Sequence, residues 1–297
     1  MSTPQNNTPR NTISYVCDYQ WPIEVELKGK SLIVNVNHVG DIRRLNDALG
    51  TETPVQAYIY RDAYGSLETL DVDPDWGDIP IVLYLNRLGQ FRTVAHKVEM
   101  LKGLNVTVIF TGEESRACVD AQILASLGIH SGIKLTPDSP LSDSVLDLIT
   151  YNFYSQMPHA DIEPFSTMSR HYKGENYVSP SLLDLENPAR YLHVDAKHRL
   201  AFTRDDLLAG NVLDFTSDDA TDTLIDDAAQ IFSRRWQQWF VESHPCTFCP
   251  AFRVCKGFFH APEKSTERCT EVMSELLEAI EFERKKCENH SKKPCQL

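Results

Sequence analysis

Cys246-Thr-Phe-Cys249 is followed by Cys255 and Cys269, in the spacing Cys-x2-Cys-x5-Cys-x13-Cys. Four thiols gathered this closely form a ligand set. Iron–sulfur clusters take four cysteine thiolates, and structural zinc can do the same. A Cys-x-x-Cys pair puts two sulfurs on one turn, so Cys255 and Cys269 must close the set from the far side. Lys256-Gly257 allows a bend there, while Pro245, Pro250 and Pro262 resist regular structure. Disulfides or unpaired core cysteines are the plain alternatives. Cys17, Cys118, Cys287 and Cys295 stand singly.

The chain of 297 residues carries a net charge of −13, with 42 acidic against 29 basic side chains. That balance argues against duplex nucleic acid or an anionic membrane as partner, since both call for a basic surface. No apolar run reaches transmembrane length, and Met1 to Arg10 is polar, without the apolar centre of a secretion signal. A cytoplasmic, reducing setting is therefore expected, which favours metal binding or free thiols over disulfides.

The elements around these thiols follow from periodicity. Residues 23–36 alternate apolar and polar around Lys28-Gly29-Lys30, which predicts a β-hairpin. A helix from Val39 to Ala48 and strands at 55–60 and 67–72 complete a small α+β unit over 1–75. Next come apolar strands at 79–85, 106–110 and 129–135, alternating with helical patterns through Val94–Leu104 and 116–127. Strands alternating with helices imply parallel βαβ units. A helix over 142–154 and a loop region with short elements over 157–190 end a middle section, 76–185. Beyond it, Tyr191–Asp195 and Arg199–Thr203 form a second hairpin candidate. The last helix spans Thr270–Lys286, with Val272, Leu276 and Ile280 on one side.

The section 186–297 resembles the SPASM domain that follows the barrel of peptide-modifying radical SAM enzymes. Tyr191–Thr203 is similar to that domain's opening hairpin and Gly210-Asn211-Val212 to its turn. Cys246, Cys249, Cys255 and Cys269 match the ligands of one auxiliary [4Fe–4S] cluster. Phe202 and Phe259 stand where cysteines of the other auxiliary cluster would be, so the resemblance implies one cluster kept and one lost whole. Residues 79–155 resemble the first part of a radical SAM barrel, with Val108-Ile-Phe-Thr-Gly-Glu-Glu114 similar to the stretch that meets S-adenosylmethionine. The loop after strand 79–85 is only Asn86-Arg-Leu-Gly-Gln90. It lacks the Cys-x3-Cys-x2-Cys of the catalytic cluster. Cleavage of S-adenosylmethionine needs an iron with an open position, so radical SAM catalysis is not expected and S-adenosylmethionine is not an expected cofactor.

The implied fold is α/β: a truncated radical-SAM-like βα partial barrel, a small N-terminal α+β unit and a C-terminal SPASM-like iron–sulfur domain. The implied protein is a non-catalytic relative with one [4Fe–4S] cluster, partnering a radical SAM enzyme or a precursor peptide in the maturation of a ribosomally made peptide. Two rivals stay open: an enzyme using the barrel cavity without S-adenosylmethionine, and a zinc-stabilised scaffold. Glu113 and Glu114 could bind a small molecule at a strand end, or simply be solvated. His244 could hydrogen-bond near the cluster and Lys256 offset its charge. The acids Asp218, Asp219, Asp222, Asp226 and Asp227 could meet a basic partner, and Trp236, Trp239 and Phe240 suit a core or interface.

Overall fold

Seven strands lie side by side in the order in which the chain makes them. The computed structural model describes residues 13–18, 27, 29–135, 141–172, 190–213, 237–252 and 266–289. Strands β1 (Ser14–Asp18), β2 (Ser31–Val36), β3 (Val55–Ser66), β4 (Ile81–Arg87), β5 (Val106–Phe110), β6 (Ser131–Ile133) and β7 (Ile162–Glu163) are all parallel. β8 (Tyr191–Val194) returns to the free side of β1, also parallel, and β9 (Leu200–Ala201) closes that edge antiparallel. The result is a nine-stranded sheet ordered β7-β6-β5-β4-β3-β2-β1-β8-β9. The fold is α/β.

Helices α1 (Asp41–Leu49), α2 (Phe91–Leu101), α3 (Glu114–Ser126), α4 (Asp143–Tyr154) and α5 (Phe165–His171) fall between successive strands. Their apolar stripes, such as Val94, Val98 and Leu101, bury against Leu32, Val34, Tyr58, Leu83, Val108 and Phe110 on one face of the sheet. Each of α1–α5 contributes buried residues to that core, among them Ile42, Val94, Ala121, Leu148 and Phe165. The other face carries a separate small cluster of Val16, Ile33, Ile59, Tyr84 and Ile109. This arrangement is compatible with a partial α/β barrel, with the small cluster on its inner face.

The hairpin expected over 23–36 is corrected. Residues 31–36 form β2, which pairs parallel with β1 on one side and β3 on the other. Leu32, Ile33 and Val34 are all buried in succession, so this strand needs neighbours and cover on both faces, which a hairpin at a sheet edge would not provide. Its strands do not make a sheet of their own: β1–β3 continue directly into β4. Residues 67–72 are not a strand; β3 itself runs on to Ser66, and Thr69 Oγ1 donates to Ser66 O (3.0 Å) in the turn beyond it. Within 157–190, the short elements expected among loop are β7 and α5.

The hairpin of β8 and β9 is as expected. Asp195 holds its turn by accepting from Lys197 N and Arg199 N, both at 2.9 Å, and from the Arg199 side chain. α6 (Arg204–Ala209) follows, capped by Thr203 Oγ1 on Asp206 N and ended by Gly210 in the left-handed region. The last helix, α7, spans Thr266–Asn289. Among the described residues no helix is long and apolar enough to cross a membrane.

Candidate functional site

The first cysteine pair owes its shape to Pro245 and His244. A helical segment over 237–241 ends where His244 N bonds back to Trp239 O (2.9 Å), with Ser243 at positive φ. Pro245 then starts a 3-10 turn, Pro245–Phe248, where its missing N–H is no loss. His244 Nδ1 accepts from Cys246 N (3.2 Å), and Thr247 Oγ1 donates to His244 O (2.7 Å). The imidazole lies flat on the Trp239 indole, centroids 4.3 Å apart. This histidine is a positioning group for the turn. Cys249 N bonds to Cys246 O (3.1 Å), which brings both thiols to one turn, Cys246 buried and Cys249 half-buried.

Cys269 comes from α7. Val272, Met273, Leu276, Leu277 and Ile280 bury one side of that helix in the main core. Near its start, Arg268 Nε donates to Leu141 O (3.0 Å), and its other nitrogens pair with Asp143 and Glu271. Near its end, Tyr172 Oη donates to Glu281 (3.2 Å) and Phe282 meets Tyr154 with ring centroids 5.0 Å apart. α7 therefore runs parallel to α4, start against start. Because α4 follows β6, Cys269 sits toward the carboxyl ends of the strands, the side on which open α/β sheets bind ligands.

The two pieces meet. Cys249 Sγ lies 3.7 Å from Thr270 Oγ1, and both Cys249 and Cys269 pack against the main core. Burial, together with the charges of Cys249 and Cys246, pushes the Cys269 thiol up to about 11. A metal takes cysteine as the thiolate, so binding one here would go with loss of the thiol protons. The donors thus fit a thiolate-bound metal group by kind. Cys255 lies outside the described residues. Among the described residues no three Cys, His, Asp or Glu side chains converge on a single metal position. None of Cys17, Cys118, Cys246, Cys249 and Cys269 forms a disulfide. Burial pushes Cys17 and Cys118 each up to about 12, and both fill the core.

The other candidates separate. Glu113 is exposed and accepts from Ser115 Oγ (3.2 Å). Glu114 caps α4, where the Ser142 side chain makes no capping bond, by accepting from Ser142 N at Oε1 (3.1 Å). Between them and the strand end, a side chain at Gly112 would collide with Asn86 O, so only glycine fits. The short loop after β4 is pinned from both sides. Leu88 N donates to the fully buried Asp120 (2.7 Å), and Gly89, at φ 90°, lies against Glu68. Arg116 Nε stands 3.0 Å from the second oxygen of Asp120, an ion pair without hydrogen-bond alignment. Phe240 is exposed and meets Phe252 edge-on. Trp236, Lys256, Phe259 and the acids Asp218, Asp219, Asp222, Asp226 and Asp227 lie outside the described residues.

Thr270 and Arg268 were not among the sequence-derived candidates. Their only signal is adjacency to Cys269, which no spacing rule uses. Compared with protein-family models, curated proteins and solved structures, the chain matches none of them.

Proposed function

We propose that this chain is a non-catalytic iron–sulfur protein: a partial radical-SAM-like barrel with a C-terminal SPASM-like section, acting as a peptide-binding, partner or electron-relay subunit in the maturation of a ribosomally made peptide. The observation that carries the reading is the Cys246–Cys249 pair on its 3-10 turn, joined by the Cys249–Thr270 contact to the start of α7, where Cys269 lies. Cys246, Cys249, Cys255 and Cys269 would hold one [4Fe–4S] cluster. Such a cluster, thiolate-bound at every iron, supplies one-electron transfer and folding energy, with no open iron for substrate.

The chain's own residues do the rest. His244 and Pro245 fix the turn that presents the first two thiols, and Arg268 locks the helix that presents the third. The pinned Asn86–Gln90 loop holds no thiol, so nothing there would hold a cluster that cleaves S-adenosylmethionine.

Oxygen-free purification tests this reading. Brown protein with a broad visible shoulder, releasing no 5′-deoxyadenosine from S-adenosylmethionine, is expected. A colourless zinc protein would favour the scaffold reading instead, and release of 5′-deoxyadenosine by the purified chain alone would end the non-catalytic one.

A further inference from the structure

The Cys246–Cys249 turn spends its own N–H groups. Thr247 N donates to His244 O (2.9 Å) and Cys249 N to Cys246 O (3.1 Å), both backbone acceptors. Cys246 N is served differently. It donates to a side chain, the imidazole Nδ1 of His244, at 3.2 Å.

Trp239 holds that imidazole in two ways. Its indole stacks on the ring with centroids 4.3 Å apart and planes inclined by 10°, and its carbonyl accepts from His244 N at 2.9 Å. The ring is therefore fixed with Nδ1 turned toward Cys246. A ring nitrogen that accepts an N–H has no proton to give to a sulfur and no lone pair left for a metal.

Hydrogen bonds to the sulfurs are among the controls on an iron–sulfur potential. Each N–H given to a thiolate or sulfide stabilises the more negative, reduced cluster and raises the potential. An N–H bonded elsewhere in the protein withholds that effect. We infer that the Trp239–His244 pair sets the reduction potential of the cluster by keeping the Cys246 N–H away from its sulfurs, which holds the potential low. His244 is the positioning residue, and Trp239 acts through it. The inference rests on the iron–sulfur reading above and gives it a direction: the turn favours a cluster that gives up electrons readily, as the donor end of a relay must.

The test uses the full chain, purified without oxygen. Iron is assayed, the midpoint potential is read by redox titration, and hydrogen exchange over 244–249 is followed by mass spectrometry. His244→Ala should raise the midpoint potential and speed exchange at the Cys246 amide by about fivefold, as for the loss of one net hydrogen bond. His244→Asn keeps a side-chain acceptor at the start of the turn and should hold the wild-type potential. Trp239→Ala keeps Nδ1 but frees the ring, so it should raise the potential by less than His244→Ala, and Trp239→Phe should restore it. If His244→Ala loses its iron, Trp239→Ala against Trp239→Phe decides the question by the same reading. The inference is overturned if the alanine variants that hold iron keep the wild-type potential or lower it. It is equally overturned if His244→Asn raises the potential as far as His244→Ala, or if exchange at Cys246 is unmoved in His244→Ala. Iron-loaded protein with unmoved potentials would sink this inference alone, whereas wild-type protein without iron would sink the cluster reading and leave no potential to set.

Discussion

Thr270 Oγ1 stands 3.7 Å from Cys249 Sγ, joining the first turn of α7 to the Cys-x-x-Cys turn. A hydroxyl donated to a ligating sulfur offsets negative charge and raises the reduction potential of an iron–sulfur site. Thr270→Val should keep the iron content and lower the midpoint potential in anaerobic redox titration, while Thr270→Ser should restore it. An unchanged potential in Thr270→Val would remove this contact from the site.

Arg268 ties Cys269 to the start of α4 through Leu141 O and Asp143. It is partly exposed, so its removal should destabilise the fold only slightly. The effect on iron should be larger, because the third thiol loses its anchor. Arg268→Ala should release iron to a chelator faster than wild type, with urea unfolding as the control for global stability.

Asp120, fully buried in α3, accepts from Leu88 N at 2.7 Å. Asp120→Ala strands that N–H and should cost about 2–3 kcal/mol in denaturant unfolding. Asp120→Asn keeps an acceptor and should cost less. Equal losses in both would mean that the charge, through Arg116, matters more than the hydrogen bond.

His130 and Asp161 form an ion pair at 3.4 Å, with Arg170 and Glu163 beside it. The hydrogen bond to Asp161 holds His130 above its ordinary value of 6.5, and the same bond holds Asp161 below its ordinary 3.8. His130 stabilises the fold fully below about 6.5 and loses that effect as pH rises through its raised folded value. Asp161 stabilises above its ordinary value and loses that effect as pH falls through its depressed one. The pair therefore contributes most at mildly acidic pH. His130→Gln should flatten the decline of the unfolding midpoint above pH about 6.5; an unchanged slope would show that the pair does not set it.

Much of the architecture was legible because helices and buried strands write their period into the chain. Val94, Val98 and Leu101 gave α2, and the apolar run through Val106–Phe110 gave β5, as the structure has them. The pairing of β2 was not legible. Alternation at 23–36 looks the same whether a strand meets its sequence neighbour antiparallel or a distant strand parallel. At the site, Cys246 and Cys249 could be read together because they share a turn. Cys269 reaches them only through the docking of α7 on α4, by Arg268 and Leu141.

The central claim is one [4Fe–4S] cluster on Cys246, Cys249, Cys255 and Cys269. Its most direct measurement is iron, acid-labile sulfide and zinc per chain in oxygen-free protein, for wild type and for Cys255→Ser and Cys269→Ser. Wild type should approach four irons and four sulfides, and each serine variant should lose them. Zinc in place of iron, no metal at all, or full iron content in both serine variants would contradict it.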